Sequence, residues 1–146
     1  MRQVNQATIS LITEFEGKRL TVYKDPIGLP TVGVGHLILP QDNLKVGDII
    51  SQGMCDDLLQ HDLQDAIAGV ERLVTTTLTD NQFGALVSLV FNIGVGNFAK
   101  SSLLRKVNMK QFIAASDSFA AWNKASGKVL SGLTRRRAAE KKLFLT

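Results

Sequence analysis

The 146-residue sequence is 45% apolar with a single cysteine, which supports a core burying about 68–70% of the unfolded surface and excludes an intrachain disulfide framework. No stretch approaches the roughly 18 apolar residues of a membrane span, and polar residues interrupt the first fifteen positions too often for a secretory core. The net charge of +4 conceals a division: residues 1–99 carry net −5, and residues 100–146 carry net +9, with Asp117 and Glu140 their only acids.

That division predicts approach to an anionic partner through the C-terminal part. Charge alone leaves open a solvated helical surface, nucleic acid and an anionic wall polymer.

In chain order, the first predicted element is a helix over 5–16, where Ile9, Ile12 and Phe15 repeat at three-residue spacing and Gly17 supplies the stop. Glu16 therefore falls at the negative end of a helix dipole. The ionised carboxylate is disfavoured there, which suits a general acid working near neutral pH. A short strand over 20–23, a turn over 24–28 and a returning strand over 31–36 follow. Pro26 and Gly28 carry Asp25 on a rigid bend. Alternation in the returning strand puts Val32 and Val34 on the packed face and Thr31, Gly33 and Gly35 on the other. A sugar ring or planar ligand could approach that bare face, although hairpin geometry also accounts for the glycines.

After the apolar run Leu37 to Pro40, Ser51 caps a helix whose apolar stripe runs through Val74 without a break. Thr79 or Asp80 caps the next, with Phe83, Leu86, Val87 and Val90 on its buried face and an end at Asn92 to Gly94. Shorter helices are predicted over 101–107, 110–122 and 134–145. The fold class is α+β, mainly helical. A small N-terminal β-hairpin lobe (13–50) and a larger helical lobe (76–146, with the helix 5–16) are joined by a linking helix (51–75) in one domain.

Neither an HExxH pattern nor a cysteine pair is present, so no metal or cofactor is predicted. His36 is expected to orient a carboxylate, with Asp62 as its partner, and Cys55 to be a buried structural thiol. Thr31 has no adjacent base and no GxSxG elbow exists, so positioning a water suits Thr31 better than nucleophilic attack. Glycosidic hydrolysis needs two acids, one protonated and one ionised, and inversion places them ~6.5–9.5 Å apart. Glu16 and Asp25 are the candidates.

Glu16-Gly17, Asp25, Gly28, Thr31 and Gly33-Val34-Gly35-His36 resemble the Glu/Asp/Thr triad block of the phage-type lysozymes, the endolysins of glycoside hydrolase family 24. The segments LTDNQFGALVSLVFNIGVGNF and GLTRRRAAEKKLFL extend the resemblance over nearly the whole chain. It implies inverting hydrolysis of the β-1,4 bond between N-acetylmuramic acid and N-acetylglucosamine in peptidoglycan, in a cleft between the lobes. Glu16 would be the acid, Asp25 the base or charge stabiliser, and Thr31 the residue that fixes the water. Arg137 would pair with Glu16, opposing the influence of the helix end. His36 with Asp62 would form a structural ion pair, and Gly33, Gly35 and Asn92 would support the cleft.

The resemblance further implies a monomer whose partner is bacterial peptidoglycan, with no nucleic acid. It would be made in the host cytoplasm and would reach the periplasmic wall after holin-type permeabilisation. A lytic transglycosylase giving anhydromuramic products and a non-catalytic wall- or nucleic-acid-binding module are the competing readings. One departure is the loop Leu37-Ile38-Leu39-Pro40, more apolar than the small polar residues many relatives carry after Gly-His.

Overall fold

A computed structural model describes residues 2–146. It is mixed α+β and mainly helical, and it divides into two compact units, residues 12–64 and the remainder.

In the unit 12–64, helix α1 (Gln6–Glu16) ends where expected. Gly17 takes φ +80 and its N–H bonds the Thr13 carbonyl at 2.9 Å, so the glycine lets the chain leave the helix without steric cost. Strands β1 (Arg19–Lys24), β2 (Pro30–Gly33) and β3 (His36–Leu37) form an antiparallel sheet in that order. Segment 47–50 lines the other edge of β1, through Val22 N–H to Asp48 O at 2.8 Å and Ile50 N–H to Leu20 O at 2.8 Å.

The returning strand predicted over 31–36 stops at Gly33. Gly33 and Gly35 take φ +66 and +71, and the chain reverses so that His36 pairs back on Val32 and Leu37 on Thr31. The packed face is as expected, but the predicted bare face of Thr31, Gly33 and Gly35 is not kept. Val32 and Val34 are both buried, while Gly33 packs against Cys55, whose Sγ would lie 3.3 Å from an added Cβ. Gly33 therefore faces a thiol and not a ligand surface, whereas Gly35 is exposed.

Helix α2 (Gln52–Asp62) is capped by Ser51, whose Oγ accepts the Met54 N–H at 3.1 Å. The expected unbroken helix over 51–74 is two segments, because α3 (Gln64–Leu73) starts afresh after the buried Leu63. The Leu63 N–H is shared between the Leu59 and His61 carbonyls, which tightens the turn there.

The other unit is built on α4 (Asp80–Ile93), in which residues 83–90 are all buried. Its start is a capping box: Thr79 Oγ1 accepts the Gln82 N–H at 3.1 Å and Gln82 Oε1 accepts the Thr79 N–H at 2.9 Å. Gly84 lets α1 approach closely, since an added Cβ would lie 1.8 Å from Thr8 Oγ1. Helices α5 (Val95–Ala99), α6 (Ser102–Asn108), α7 (Phe112–Asp117) and α8 (Ser131–Leu145) complete the unit. Phe144 of α8 stacks at a tilt with Phe119 at 5.5 Å and Phe112 at 6.2 Å. The helix predicted over 110–122 is α7 followed by a 3₁₀ turn, and α8 begins three residues before its predicted start. The strands β4 (Lys124–Ala125) and β5 (Lys128–Val129) were not predicted; Ser126 and Gly127, both at positive φ, make the tight turn between them.

Candidate active site

The candidate groups Glu16, Asp25, Thr31 and Gly35 all belong to the unit 12–64. Glu16 is the last residue of α1 and is exposed. Across from it lies Gly35, where an added Cβ would stand 3.6 Å from Glu16 Oε2. The bare backbone of the β2–β3 turn thus leaves room beside the carboxylate.

Asp25 is half-buried and gripped by its own turn. Its Oδ1 accepts the Ile27 N–H at 3.0 Å and the Leu29 N–H at 2.8 Å, while its own N–H bonds the Leu29 carbonyl at 2.8 Å. The same carbonyl accepts the Thr31 hydroxyl at 3.0 Å. Leu29 is therefore the hinge between Asp25 and Thr31, and Pro30 after it restricts Leu29 to extended conformations. Two consequences follow. With Oδ1 saturated by backbone donors, Oδ2 is the oxygen left to take a proton. With its proton committed to Leu29, the nearly buried Thr31 hydroxyl offers only lone pairs, so a water beside it must donate.

His36 is buried between two carboxylates: Nδ1 lies 2.7 Å from Asp62 Oδ2 and Nε2 lies 2.8 Å from Asp42 Oδ2. Burial by itself would lower the imidazole's proton affinity. The hydrogen bonds and charges of Asp42 and Asp62 outweigh it and hold the His36 pKa above its ordinary value. Asp42 is held below its ordinary value by the Leu39 N–H at 2.8 Å and then by His36. Asp62 was expected as a partner from the sequence; Asp42 was not. Its position on the 3₁₀ turn Pro40–Asp42, opened by Pro40, is the local signal that could have suggested it.

Asn92 and Arg137, both candidates, lie in the other unit and meet there, Arg137 Nη2 donating to Asn92 Oδ1 at 2.6 Å. Arg137 Nε also lies 3.0 Å from Oε1 of the fully buried Glu140. Glu140 Oε2 accepts from Ser88 Oγ at 2.5 Å and from Arg136 Nε at 3.3 Å. Burial raises the Glu140 pKa, against the pull of Arg137, Ser88 and Arg136. Sequence reasoning missed Glu140, although Arg136 and Arg137 stand four and three residues before it on α8, the spacing at which helix side chains meet.

Cys55 is buried, and burial followed by the Asp56 charge pushes its thiol pKa up, so the protonated form prevails. Among the described residues no group of three or more His, Cys, Asp or Glu is arranged to hold a metal ion, and no helix is long and apolar enough to cross a membrane.

Comparison with known proteins places these features in context. A family model described as phage lysozyme matches residues 13–140. The endolysin of Salmonella phage P22 is 41% identical over 147 residues and is covered in full, as is this chain. The endolysin of Bacillus phage B103 is 38% identical over 98% of this chain, which spans 54% of that protein's length. Curated relatives thus include proteins about twice as long as this chain. A crystal structure of a P22 lysozyme mutant superposes with a TM-score of 0.91 at 38% identity, covering all of both chains.

Proposed function

The chain belongs to the phage lysozyme family, and from that premise we propose that it is an endolysin-type muramidase. It hydrolyses the β-1,4 bond between N-acetylmuramic acid and N-acetylglucosamine in peptidoglycan, with inversion. The observation that carries this reading is the shared Leu29 carbonyl. It ties the Thr31 hydroxyl and the Asp25 backbone into one rigid cradle with an acceptor on either side.

In the proposed mechanism Glu16 gives its proton to the glycosidic oxygen as the bond from the muramyl C1 to that oxygen breaks. A water donates one hydrogen bond to Thr31 Oγ1 and the other to Asp25 Oδ2. As its oxygen bonds C1, its proton passes to Asp25. Because Oδ1 is already held by two N–H groups, Asp25 cannot swing, and the water approaches from a fixed direction. Gly35 leaves space for the sugar beside Glu16. Arg137 is assigned a supporting electrostatic role, carried by its fixed place between Glu140 and Asn92.

The reading extends to location. The enzyme is made in the host cytoplasm and acts on the periplasmic wall after a holin-type lesion opens the inner membrane. Expression without such a lesion should leave cells intact, and expression with it should lyse them. The direct enzymatic test is release of reducing ends from purified peptidoglycan. Glu16→Gln should lower kcat by about 10²–10⁴-fold without loss of folded protein; undiminished turnover would remove Glu16 from the mechanism.

A further inference from the structure

On that reading, the sugar attacked at C1 lies against Asp25 and Thr31. Three large apolar residues tied to this pair by backbone pairing or hydrogen bonds stay out of the core: Ile27 is 80% exposed, Leu37 50% and Leu29 44%. Single exposed apolar residues are ordinary on a protein surface. These three are set apart by where the sheet holds them.

Thr31 stands opposite Tyr23 on one side and Leu37 on the other. One step along the same ladder, past the Lys24 and Pro30 pair, the Asp25 N–H bonds the Leu29 carbonyl. Residues directly opposed across a ladder, and those two apart along a strand, share a face. Tyr23, Thr31 and Leu37 therefore share one face of the sheet, and the turn that joins β1 to β2 carries Asp25 and Leu29 just past the strand ends beside it. Ile27 stands at the turn tip, and its own N–H is one of the two that hold Asp25 Oδ1. The hydrogen bonds that fix the proposed base thus also fix the backbone bearing Ile27 and Leu29.

A muramyl sugar differs from its glucosaminyl neighbour in the lactyl ether at C3. The N-acetyl methyl is common to both sugars and cannot distinguish them; the lactyl methyl can. We infer that Leu29 and Leu37, with Ile27 at the tip, form an apolar ledge that receives the lactyl methyl of the sugar under attack and so selects muramyl over glucosaminyl residues. The inference rests on the muramidase reading and adds the groups that set its specificity. It also gives Leu37, the first residue of the apolar loop, a role that packing does not supply.

Glu16→Gln protein keeps the ledge and lets binding be measured without turnover. Calorimetry would compare two hexasaccharides, chitohexaose and an alternating glycan whose lactyl carboxyls are amidated so that both ligands are uncharged. The muramyl glycan should bind more tightly. Adding Leu37→Ser should cut that preference about tenfold, the low end of what one methyl group gives in a hydrophobic pocket. The Kd for chitohexaose should stay within about twofold, and Leu37→Met should restore the preference. Ile27→Ser, at the most exposed position, should show a smaller loss in the same direction and provides the reading if the Leu37→Ser variant does not fold. An unchanged preference, an equal loss for both ligands, or no preference in the parent would overturn the ledge. Failure of the muramidase reading would show separately, as wild-type protein that releases no reducing ends from peptidoglycan.

Discussion

Thr31 commits its one proton to the Leu29 carbonyl at 3.0 Å, and that bond decides what the residue can do. It can still accept from a water, but it has no proton of its own left to donate. In the proposed mechanism the group acts on the water and not on the bound sugar, so Thr31→Ala should lower kcat by about 10²-fold with little change in KM. Thr31→Ser should retain most of the rate, and steady-state kinetics on soluble glycan fragments separates the two outcomes. His36 makes a second prediction, about stability. Its raised pKa means that its contribution is complete below the ordinary histidine value of about 6.5 and is lost as pH rises through the higher folded value. Asp42, held low, contributes above the ordinary aspartate value of about 3.9 and ceases to as pH falls through its lowered folded value. The cluster is thus most stabilising between these limits. His36→Asn should cost about 2–3 kcal/mol there, the scale of hydrogen bonds to charged groups, and progressively less as pH rises through the folded His36 value. Thermal melts of both proteins from pH 4 to 9 would show a gap closing toward high pH; a gap independent of pH would count against a charged His36.

Elements with a strong local signal were legible in the sequence. Gly17 stops α1, Ser51 caps α2 and Thr79 caps α4, because each is one residue's chemistry meeting a helix end. The strand β3 and the β4–β5 hairpin were not, since each rests on only two ladder pairs and on positive φ at Gly35 or at Ser126 and Gly127, which periodicity does not encode. The interruption at Leu63 was hidden for a related reason: the apolar stripe runs across it unchanged. For the candidate site, residue types and spacing put forward Glu16, Asp25 and Thr31, but the Leu29 carbonyl that links two of them is backbone, and no side-chain pattern announces it. Close packing of α1 on α4 supplies the test at this scale. A methyl group at Gly84 would meet Thr8 Oγ1 at 1.8 Å and Thr8 Cβ at 3.0 Å, so Gly84→Ala should cost about 1–3 kcal/mol in denaturant unfolding. Thr8→Ala in the same protein should recover much of that loss, giving a coupling term in a double-mutant cycle; strict additivity would mean that the two residues do not press on each other.

For the whole molecule, the charge division in the sequence becomes sharper once the acids of residues 100–146 are located. Asp117 pairs with Lys141 at 2.8 Å, and Glu140 is buried between Arg136 and Arg137. The exposed Lys100, Arg105, Lys110, Lys124, Lys128, Arg135 and Lys142 therefore face solvent with no exposed acid from their own segment except one already paired. Attraction to the carboxylates and phosphates of a bacterial wall should weaken as salt rises to about 0.3 M, where screening is strong. Pull-down on purified peptidoglycan across that range measures it, and affinity insensitive to salt would dismiss the charge as a contributor. The chemistry is tested most directly by the fragments released from defined peptidoglycan in ¹⁸O-labelled water, read by mass spectrometry and by early NMR of the new reducing end. The expected result is one ¹⁸O at the muramyl C1 in the α configuration, from a water delivered by Asp25 and Thr31. Anhydromuramyl ends without label, or a β reducing end, would contradict it.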